Sequence, residues 1–258
     1  MKLSRNTFTM NNKVSMLSYG AVAGKKESEG PLGKFFDGVS EDARFGEETF
    51  EKAESAMQKL AINYALQKGD FKPQDIDLIF AGDLLNQCIS SSYGLREFEI
   101  PFFGLYGACS TMVESLSLAS LMVDNGIADK AIAVTSSHFC SAERQYRFPL
   151  EYGSQRTPTA QWTVTASGAT VVGKSEKPPY VKAVTVGKIV DMGVTDANNM
   201  GAAMAPVSVK LRLQARGAKA HPGLARRLFP LFSCSLLTGD SLPASSHFAL
   251  RKNSAAQT

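Results

Sequence analysis

A cysteine within a run of small residues offers the clearest chemistry in this sequence. Cys109 lies in residues 107–111, Gly-Ala-Cys-Ser-Thr, between an apolar run at residues 101–106 and a helix-like segment at residues 112–123. A strand, a sharp turn and a helix would place the sulfur at a helix N terminus, where partial positive charge and free N–H groups favour anions. The pattern therefore predicts either a nucleophile or a pocket for a carboxylate.

Cationic side chains elsewhere could hold a carboxylate. A guanidinium presents parallel N–H donors that match a carboxylate, which makes Arg144 and Arg147 candidates. Ordinary ion pairs with Glu143 or Glu151 are the alternative for both arginines. Lys26, in an early loop, is a further candidate cation, and a solvated loop lysine is its alternative.

Polar residues near predicted strand ends extend the candidate set. Asp83 could accept a hydrogen bond from a turn or from the pocket, and Leu84 would offer an apolar surface to a ligand ring. Ser136 and Ser137 could donate hydroxyl hydrogens, although strand-end serines often cap the following turn. His138 lacks an identifiable partner, which favours a locally hydrogen-bonded histidine over a catalytic base.

Helix and strand signals alternate along most of the chain. Apolar residues at three- and four-residue spacing predict a helix from Phe50 to Gly69, whereas residues 1–48 are predicted to be irregular, with a surface loop at residues 20–33. Further predicted elements are strands at residues 76–81, 102–106, 131–135, 162–172 and 181–189, a helix at 110–123 and a polar loop at 136–156. The alternation predicts an α/β fold with a mostly parallel, helix-covered sheet.

The carboxyl ends of parallel strands meet at one edge of a sheet, where ligands bind in such folds. Three loops would leave the predicted strands at that edge: residues 83–87, 107–111 and 136–144. We therefore expect these loops to converge.

Composition excludes several classes of function. The chain has 258 residues, no run of about 18 apolar residues and no apolar segment after its basic N terminus, so neither a membrane span nor a secretory signal is predicted. Four cysteines without paired spacing, and Asp83 without further ligands, predict no metal site. A reducing cytosol is the expected compartment.

The chain changes character after residue 206. Residues 207–258 carry 8 Lys and Arg against one Asp, a net charge of +7, and contain no Ile, Glu or Tyr. They follow no sustained helical or strand period, which predicts a discordant, disordered basic tail after a folded unit at residues 1–206. Because this basicity forms no recognised motif, no nucleic-acid partner is predicted.

Six short motifs stand in a fixed order along the chain, at residues 29–33, 81–87, 107–111, 135–138, 142–145 and 201–206. Together they resemble the motifs of the stage V sporulation protein AD family, within the thiolase-like superfamily. The resemblance implies a layered αβαβα fold of two similar halves, of which this chain carries the N-terminal one. The similarity stops just after Pro206, which indicates a reading-frame shift; a divergent C-terminal domain is the alternative.

The resemblance also implies a function and partners. It implies binding of dipicolinic acid, pyridine-2,6-dicarboxylate, alone or as its calcium chelate, during uptake into the developing spore, with Lys26, Asp83, Leu84, Cys109, Ser136 and Arg144 as the ligand-binding set and no other cofactor. The implied partners are other stage V sporulation A proteins at the spore inner membrane and a second copy of the chain, with the protein cytoplasmic or peripheral at that membrane.

Two other classes of function stay open. One is an acyl-transferring condensing enzyme in which Cys109 carries a thioester. Condensing enzymes of this superfamily take His and Asn residues largely from their C-terminal half, and His221 lies in the discordant tail without the glycine-rich frame of such a motif. The other is a scaffold subunit of a spore membrane complex.

Overall fold

The computed structural model describes residues 5–146 and 163–187, together with residues 189, 191, 193 and 195. The strands are β1 Thr7–Thr9, β2 Val14–Gly24, β3 Gly38–Ser40, β4 Leu78–Gly82, β5 Phe102–Gly104, β6 Lys130–Ser137, β7 Ala166–Lys174 and β8 Ala183–Thr185. The α-helices are α1 Lys25–Ser28, α2 Phe50–Gly69, α3 Ile89–Leu95, α4 Thr111–Asp124 and α5 Phe139–Tyr146.

Six of the strands form one sheet, in the order β3-β2-β7-β6-β4-β5, and β1 pairs with β8 apart from it. β4 runs parallel to β5 and β6, and β2 runs parallel to β3. β7 is antiparallel to both of its neighbours, β2 and β6. The predicted α/β class is confirmed, but the sheet is mixed because β7 returns beside β6 in the opposite direction.

Helices cover both faces of this sheet. On one face α2 packs Met57, Ala61 and Ile62 against buried side chains of the central strands. On the other face α4 packs Leu116 and Ala119 in a second cluster of buried side chains. Burying apolar area on both faces stabilises the layers at about 25 cal/mol per Å².

The N-terminal region differs most from its predicted irregular structure. β2 is 11 residues long and lies inside the sheet. Its register against β7 shifts between Met16 and Ser18, and this irregularity disturbs the two-residue alternation by which a strand is recognised. Gly20 lets α2 approach closely, because a Cβ there would lie 2.1 Å from the Ala61 carbonyl oxygen.

The region after β6 also departs from prediction. Residues 139–146 form α5 rather than part of a polar loop. Arg147, Trp162, residues 196–206 and the tail at residues 207–258 lie outside the described residues, and so do the predictions made for them. No helix in the described part of the chain is long and apolar enough to cross a membrane.

Candidate functional site

The loops after β4, β5 and β6 leave one edge of the sheet, since these three strands are parallel. The first two loops touch: a Cβ on Gly82 would lie 2.1 Å from the Leu105 carbonyl oxygen and 2.6 Å from Thr111 Cγ2. From α2, the Gln58 amide donates to the Gly82 carbonyl at 3.3 Å and to Ser136 Oγ at 2.8 Å, which ties the ends of β4 and β6 together. The predicted convergence of the loops is therefore observed.

The cysteine loop has the predicted strand-turn-helix form. One 3₁₀ turn, Ala108–Ser110, separates β5 from α4, and Cys109 is an exposed, free thiol on that turn. Side chains hold the turn: Ser110 Oγ donates to the Gly107 carbonyl at 2.7 Å, and Thr111 Oγ1 donates to the Ala108 carbonyl at 2.8 Å. The turn presents the sulfur just before the N terminus of α4.

Two of these loops hold non-glycine residues with a left-handed backbone. Ala108 has a φ of 46°, and Gln87 and Cys88 have φ values of 59° and 52°. Non-glycine residues in this left-handed region cost of order 1–3 kcal/mol and gather at functional sites. Sequence reasoning missed Gln87 and Cys88, because neither residue type signals a left-handed backbone.

Asp83 faces the protein interior and not the open edge. The residue is 2% exposed. Its Oδ1 accepts from the Leu85 N–H at 2.9 Å, and its Oδ2 accepts from the N–H and hydroxyl of Ser91 at 2.8 and 2.6 Å. Burial raises the pKa of Asp83, and these hydrogen bonds oppose the rise. The Asp83 carboxylate therefore accepts hydrogen bonds from the following turn, which is one of the two predicted alternatives. The neighbouring Leu84 is half-buried.

The hydroxyls of Ser136 and Ser137 are also engaged within the protein. Ser136 Oγ donates to Glu54 Oε1 at 2.9 Å while accepting from Gln58. Ser137 Oγ donates to the Val164 carbonyl. A direct role of Ser136 toward a ligand stays a prediction.

His138 is a locally hydrogen-bonded, buried histidine, as the favoured interpretation predicted. Its Nδ1 accepts from the Cys140 N–H at 3.1 Å, and its Nε2 lies 2.7 Å from the Ala43 carbonyl oxygen. The ring packs 5.1 Å from that of Phe50. Burial lowers the pKa of His138, which fits a neutral ring donating from Nε2. Both nitrogens are therefore occupied.

Glu54 and Gln58, two buried polar residues behind the loops, were not predicted as part of the site. Both side chains are 0% exposed and lie one turn apart on α2. Burial, and next the Asp83 carboxylate, raise the pKa of Glu54 to about 8. The sequence pattern that could have revealed them is a pair of polar residues, four positions apart, among the small and apolar positions that α2 buries.

Two of the three candidate cations, Lys26 and Arg144, belong to elements on the β6 side of the edge. Lys26 is exposed in α1, and Glu27 of that helix accepts from the Thr165 N–H at 3.1 Å. Thr165 Oγ1 in turn accepts from the Phe139 N–H at 3.0 Å, so α1 and the start of α5 meet beside β7. Arg144 lies on α5.

Strand spacing separates Lys26 from Cys109. Four strand intervals lie between β2 and β5, which is roughly 19 Å at about 4.8 Å per interval. The structure thus brings the loops of Asp83, Cys109 and Ser136 together and leaves Lys26 at a distance.

Two further features bound the site. Among the described residues, no group of three or more His, Cys, Asp or Glu side chains could hold a metal ion. A groove of about 360 Å³ lies beside β3, the strand at the side of the sheet away from β5, and Val39, Leu60 and Tyr64 line it.

The chain matches the sequence model of a protein family over most of its length. Residues 4–216 match the model of Stage V sporulation protein AD (SpoVAD). This chain belongs to the SpoVAD family. Stage V sporulation protein AD of Bacillus subtilis (strain 168) is 44% identical over 209 residues, which are 81% of this chain and 62% of that protein. The chain therefore spans less than two thirds of the length of this SpoVAD relative.

Solved structures show the fold that this SpoVAD chain shares. Xanthomonas campestris OleA bound with cerulenin matches with a TM-score of 0.57 and 15% identity, over 81% of this chain and 71% of that one. A second OleA structure matches with a TM-score of 0.54 and 16% identity, over 84% and 75%. The SpoVAD chain therefore has a thiolase-like α/β fold.

Proposed function

We propose that this sporulation protein binds pyridine-2,6-dicarboxylate at the loop edge of its sheet during uptake of the compound into the developing spore, without turning it over. The observation that carries the proposal is the exposed Cys109 turn in a SpoVAD chain, strained at Ala108 and placed before α4 beside the end of β4. Backbone N–H groups at a helix N terminus suit one carboxylate of the ligand.

Other residues contact the pyridine ring and the second carboxylate of the ligand. Leu84, half-buried in the loop after β4, offers an apolar surface to the pyridine ring, and Arg144 supplies a guanidinium for the second carboxylate. Glu114 lies close to this turn, since a Cβ on Gly107 would be 2.3 Å from its Oε2. A nearby acid favours the calcium chelate, whose charges cancel, over the free dianion.

The competing function is acyl transfer through Cys109. The exposed thiol and the fold shared with condensing enzymes favour it. A thiol nucleophile needs a base that can reach it. The imidazole within the described residues is that of His138, and both of its nitrogens are engaged elsewhere.

Partners are part of the proposal. Within the part of the chain that the structure describes, β5 is an edge strand of the six-stranded sheet, and Phe103 on it is 49% exposed. An edge strand with an exposed aromatic side chain suits pairing with a second copy of the chain. Attachment to other stage V sporulation A proteins would place the protein at the spore inner membrane.

Two measurements separate these functions. Calorimetric titration of the full chain with dipicolinate, with and without Ca²⁺, should show saturable binding, and isophthalate, which lacks the ring nitrogen, should bind more weakly with Ca²⁺ present. Mass spectrometry after incubation with acyl-CoA should show unmodified Cys109. Absence of dipicolinate binding under both conditions leaves the scaffold role, and a rapidly formed acyl adduct establishes acyl transfer.

A further inference from the structure

A buried histidine, His138, joins three elements just after the end of β6. It is 1% exposed and lies directly before α5, which begins at Phe139. Its Nε2 lies 2.7 Å from the carbonyl oxygen of Ala43, in the loop that connects β3 to α2, and its Nδ1 lies 3.1 Å from the backbone nitrogen of Cys140 in α5. The ring also packs on Phe50, the first residue of α2. His138 therefore holds this loop, α2 and α5 together.

The two hydrogen bonds fix which ring nitrogen carries the hydrogen. A backbone carbonyl can only accept, so Nε2 of His138 must donate to Ala43. A backbone N–H can only donate, so Nδ1 must accept from Cys140 and must itself be free of a proton. This second bond makes His138 the N-cap of α5, because its side chain accepts from the N–H of the second residue of the helix.

Protonation of the ring removes this cap. An imidazolium carries a hydrogen on both nitrogens, so Nδ1 can no longer accept from the Cys140 N–H. The two hydrogens would point at each other, and a positive charge would lie at the positive end of the α5 dipole. Nε2 donates to Ala43 in both states, so that bond persists. Acid therefore breaks the contact of His138 with α5 and spares its contact with the loop.

Charged groups on several elements face the ring. Glu27 of α1 and Glu51 of α2 favour the imidazolium. Arg44 opposes it, because its guanidinium lies 5.3 Å from the centre of the phenyl ring that packs on His138. Glu54 of α2 reaches the same turn through a serine hydroxyl, and burial raises its pKa to about 8, so it is mostly neutral in mild acid. Burial outweighs the two acids and lowers the pKa of His138.

We propose that His138 is an acid-sensitive N-cap, whose neutral ring joins the β3–α2 loop to α5 and whose protonation frees the first turn of α5. This cap does not depend on the proposed function. Its link to ligand binding does rest on the proposed function, because the link takes Arg144 on α5 as a ligand contact. A dicarboxylate held through α5 would then bind more weakly in mild acid than at neutral pH.

Proton linkage sets the direction and range of this effect. A histidine freely exposed to water has a pKa of 6.5, and burial makes the pKa of the capping ring lower. The freed state therefore binds the proton more tightly. Above about pH 6.5 the ring does not affect the freeing of the first turn, and below it freeing becomes more favourable by up to about tenfold per pH unit. The effect levels off below the pKa of the capping ring.

Hydrogen exchange on the full chain from pH 5 to pH 8 tests the cap. After correction for intrinsic exchange rates, protection of the wild-type amides at residues 140–142 should fall below about pH 6.5, relative to that of β4. His138→Asn should remove this fall, because an asparagine side chain is a good N-cap acceptor that does not titrate. Any contribution of Glu54 is common to both proteins and cancels in the comparison. His221→Asn, which replaces a histidine of the tail, is the matched control and should follow the wild type.

Equal pH dependence in the wild type and in His138→Asn would overturn the cap. If His138→Asn does not fold, NMR of the wild-type ring nitrogens decides: Nδ1 must be the unprotonated nitrogen at pH 8, and its protonation must coincide with the loss of protection in α5. Dipicolinate affinity at pH 5.5 and pH 7.5 is the second readout. A loss of affinity at pH 5.5 that is larger in the wild type than in His138→Asn supports the link to the ligand, and an equal change overturns it. Failure of dipicolinate to bind at either pH refutes the proposed function, while the exchange data still decide the cap.

Discussion

At the residue scale, two of the predicted polar residues of the loop edge turn inward, whereas the Cys109 thiol is presented outward. Asp83 and Ser136 are occupied by Ser91 and Glu54, whereas Cys109 is exposed. The sequence predicted that these residues share one edge, because strand order and motif spacing determine that. It could not predict their orientation, which depends on partners 8 and 82 positions away in the chain.

We expect the hydrogen bonds of Asp83 to stabilise the folded protein. Asp83→Ala removes an acceptor for three hydrogen bonds and leaves buried donors of Leu85 and Ser91 unsatisfied, so the free energy of unfolding should fall by about 1–3 kcal/mol. Urea denaturation measures this change. The control is Asp129→Ala, at an exposed position, which should stay within about 0.5 kcal/mol of the wild type. An Asp83→Ala protein as stable as the control would mean that these hydrogen bonds contribute nothing net.

We expect Arg144 to contribute to the affinity for dipicolinate. Arg144→Ala should weaken dipicolinate affinity by about 1.5–3 kcal/mol, because a charge-assisted hydrogen bond is lost. Calorimetry measures the change, and Arg96→Ala, at an exposed position at the end of α3, is the control. Unchanged affinity in Arg144→Ala would remove this arginine from the site.

At the element scale, local sequence periodicity predicted the two long helices and failed where distant contacts decide the structure. The spacing of apolar residues gave α2 its observed bounds, Phe50–Gly69, and gave α4 to within a residue. β2 escaped prediction because of its irregular register near Met16. α5 escaped because its residues are mostly polar and because one of its anchors is Glu54, far away in the sequence.

The approach of the cysteine loop to β4 depends on Gly82. Gly82→Ala would bring a Cβ to 2.1 Å from the Leu105 carbonyl oxygen, so the backbone must shift at a cost of about 1–3 kcal/mol. Thiol labelling of Cys109, together with urea denaturation, should detect the displaced loop. Gly168→Ala is the matched control in β7, since nothing lies within 4 Å of its Cβ. Equal behaviour of the two variants would refute the close approach.

The C terminus of α4 is fastened to the N-terminal region by one carboxylate. Asp124 Oδ1 accepts from the N–H groups of Asn11 and Asn12, both at 2.8 Å. Burial alone would raise the pKa of Asp124, but these amides outweigh it and lower the pKa below 3.8.

A carboxyl whose pKa is lowered by folding adds stability above its unfolded pKa, and this stability is lost as the pH falls through the folded value. Wild-type stability should therefore decline below about pH 4. Asp124→Asn should lose about 1–3 kcal/mol at pH 7 and show a shallower decline in acid. Urea denaturation at pH 7 and pH 3 checks both, with Asp129→Asn as the control. A decline as steep in Asp124→Asn as in the wild type would contradict this role.

At the scale of the whole molecule, the end of the SpoVAD match lies close to the residue after which the amino-acid composition changes. The SpoVAD match runs to residue 216, beyond Pro206, just after which the similarity was expected to stop, and residues 207–258 carry the net charge of +7. The prediction of a discordant tail after residue 206 rests on composition and on the resemblance.

Limited proteolysis tests this organisation. We expect a low dose of trypsin to remove residues after 206 first, because that segment is rich in Lys and Arg and has no predicted core. The fragment that begins at residue 1 should persist. Intact-mass measurement over time gives the order of cleavage, and protection of the sites after residue 206 would contradict the tail prediction.

Hydrogen exchange with and without dipicolinate tests whether the loop edge of the sheet binds this ligand. On saturation, exchange should slow at residues 83–87, at residues 107–111 and in α5, and should stay unchanged at the groove lined by Val39, Leu60 and Tyr64. Slowed exchange at that groove alone, or no change anywhere at millimolar dipicolinate, would show that the loop edge is not the binding site.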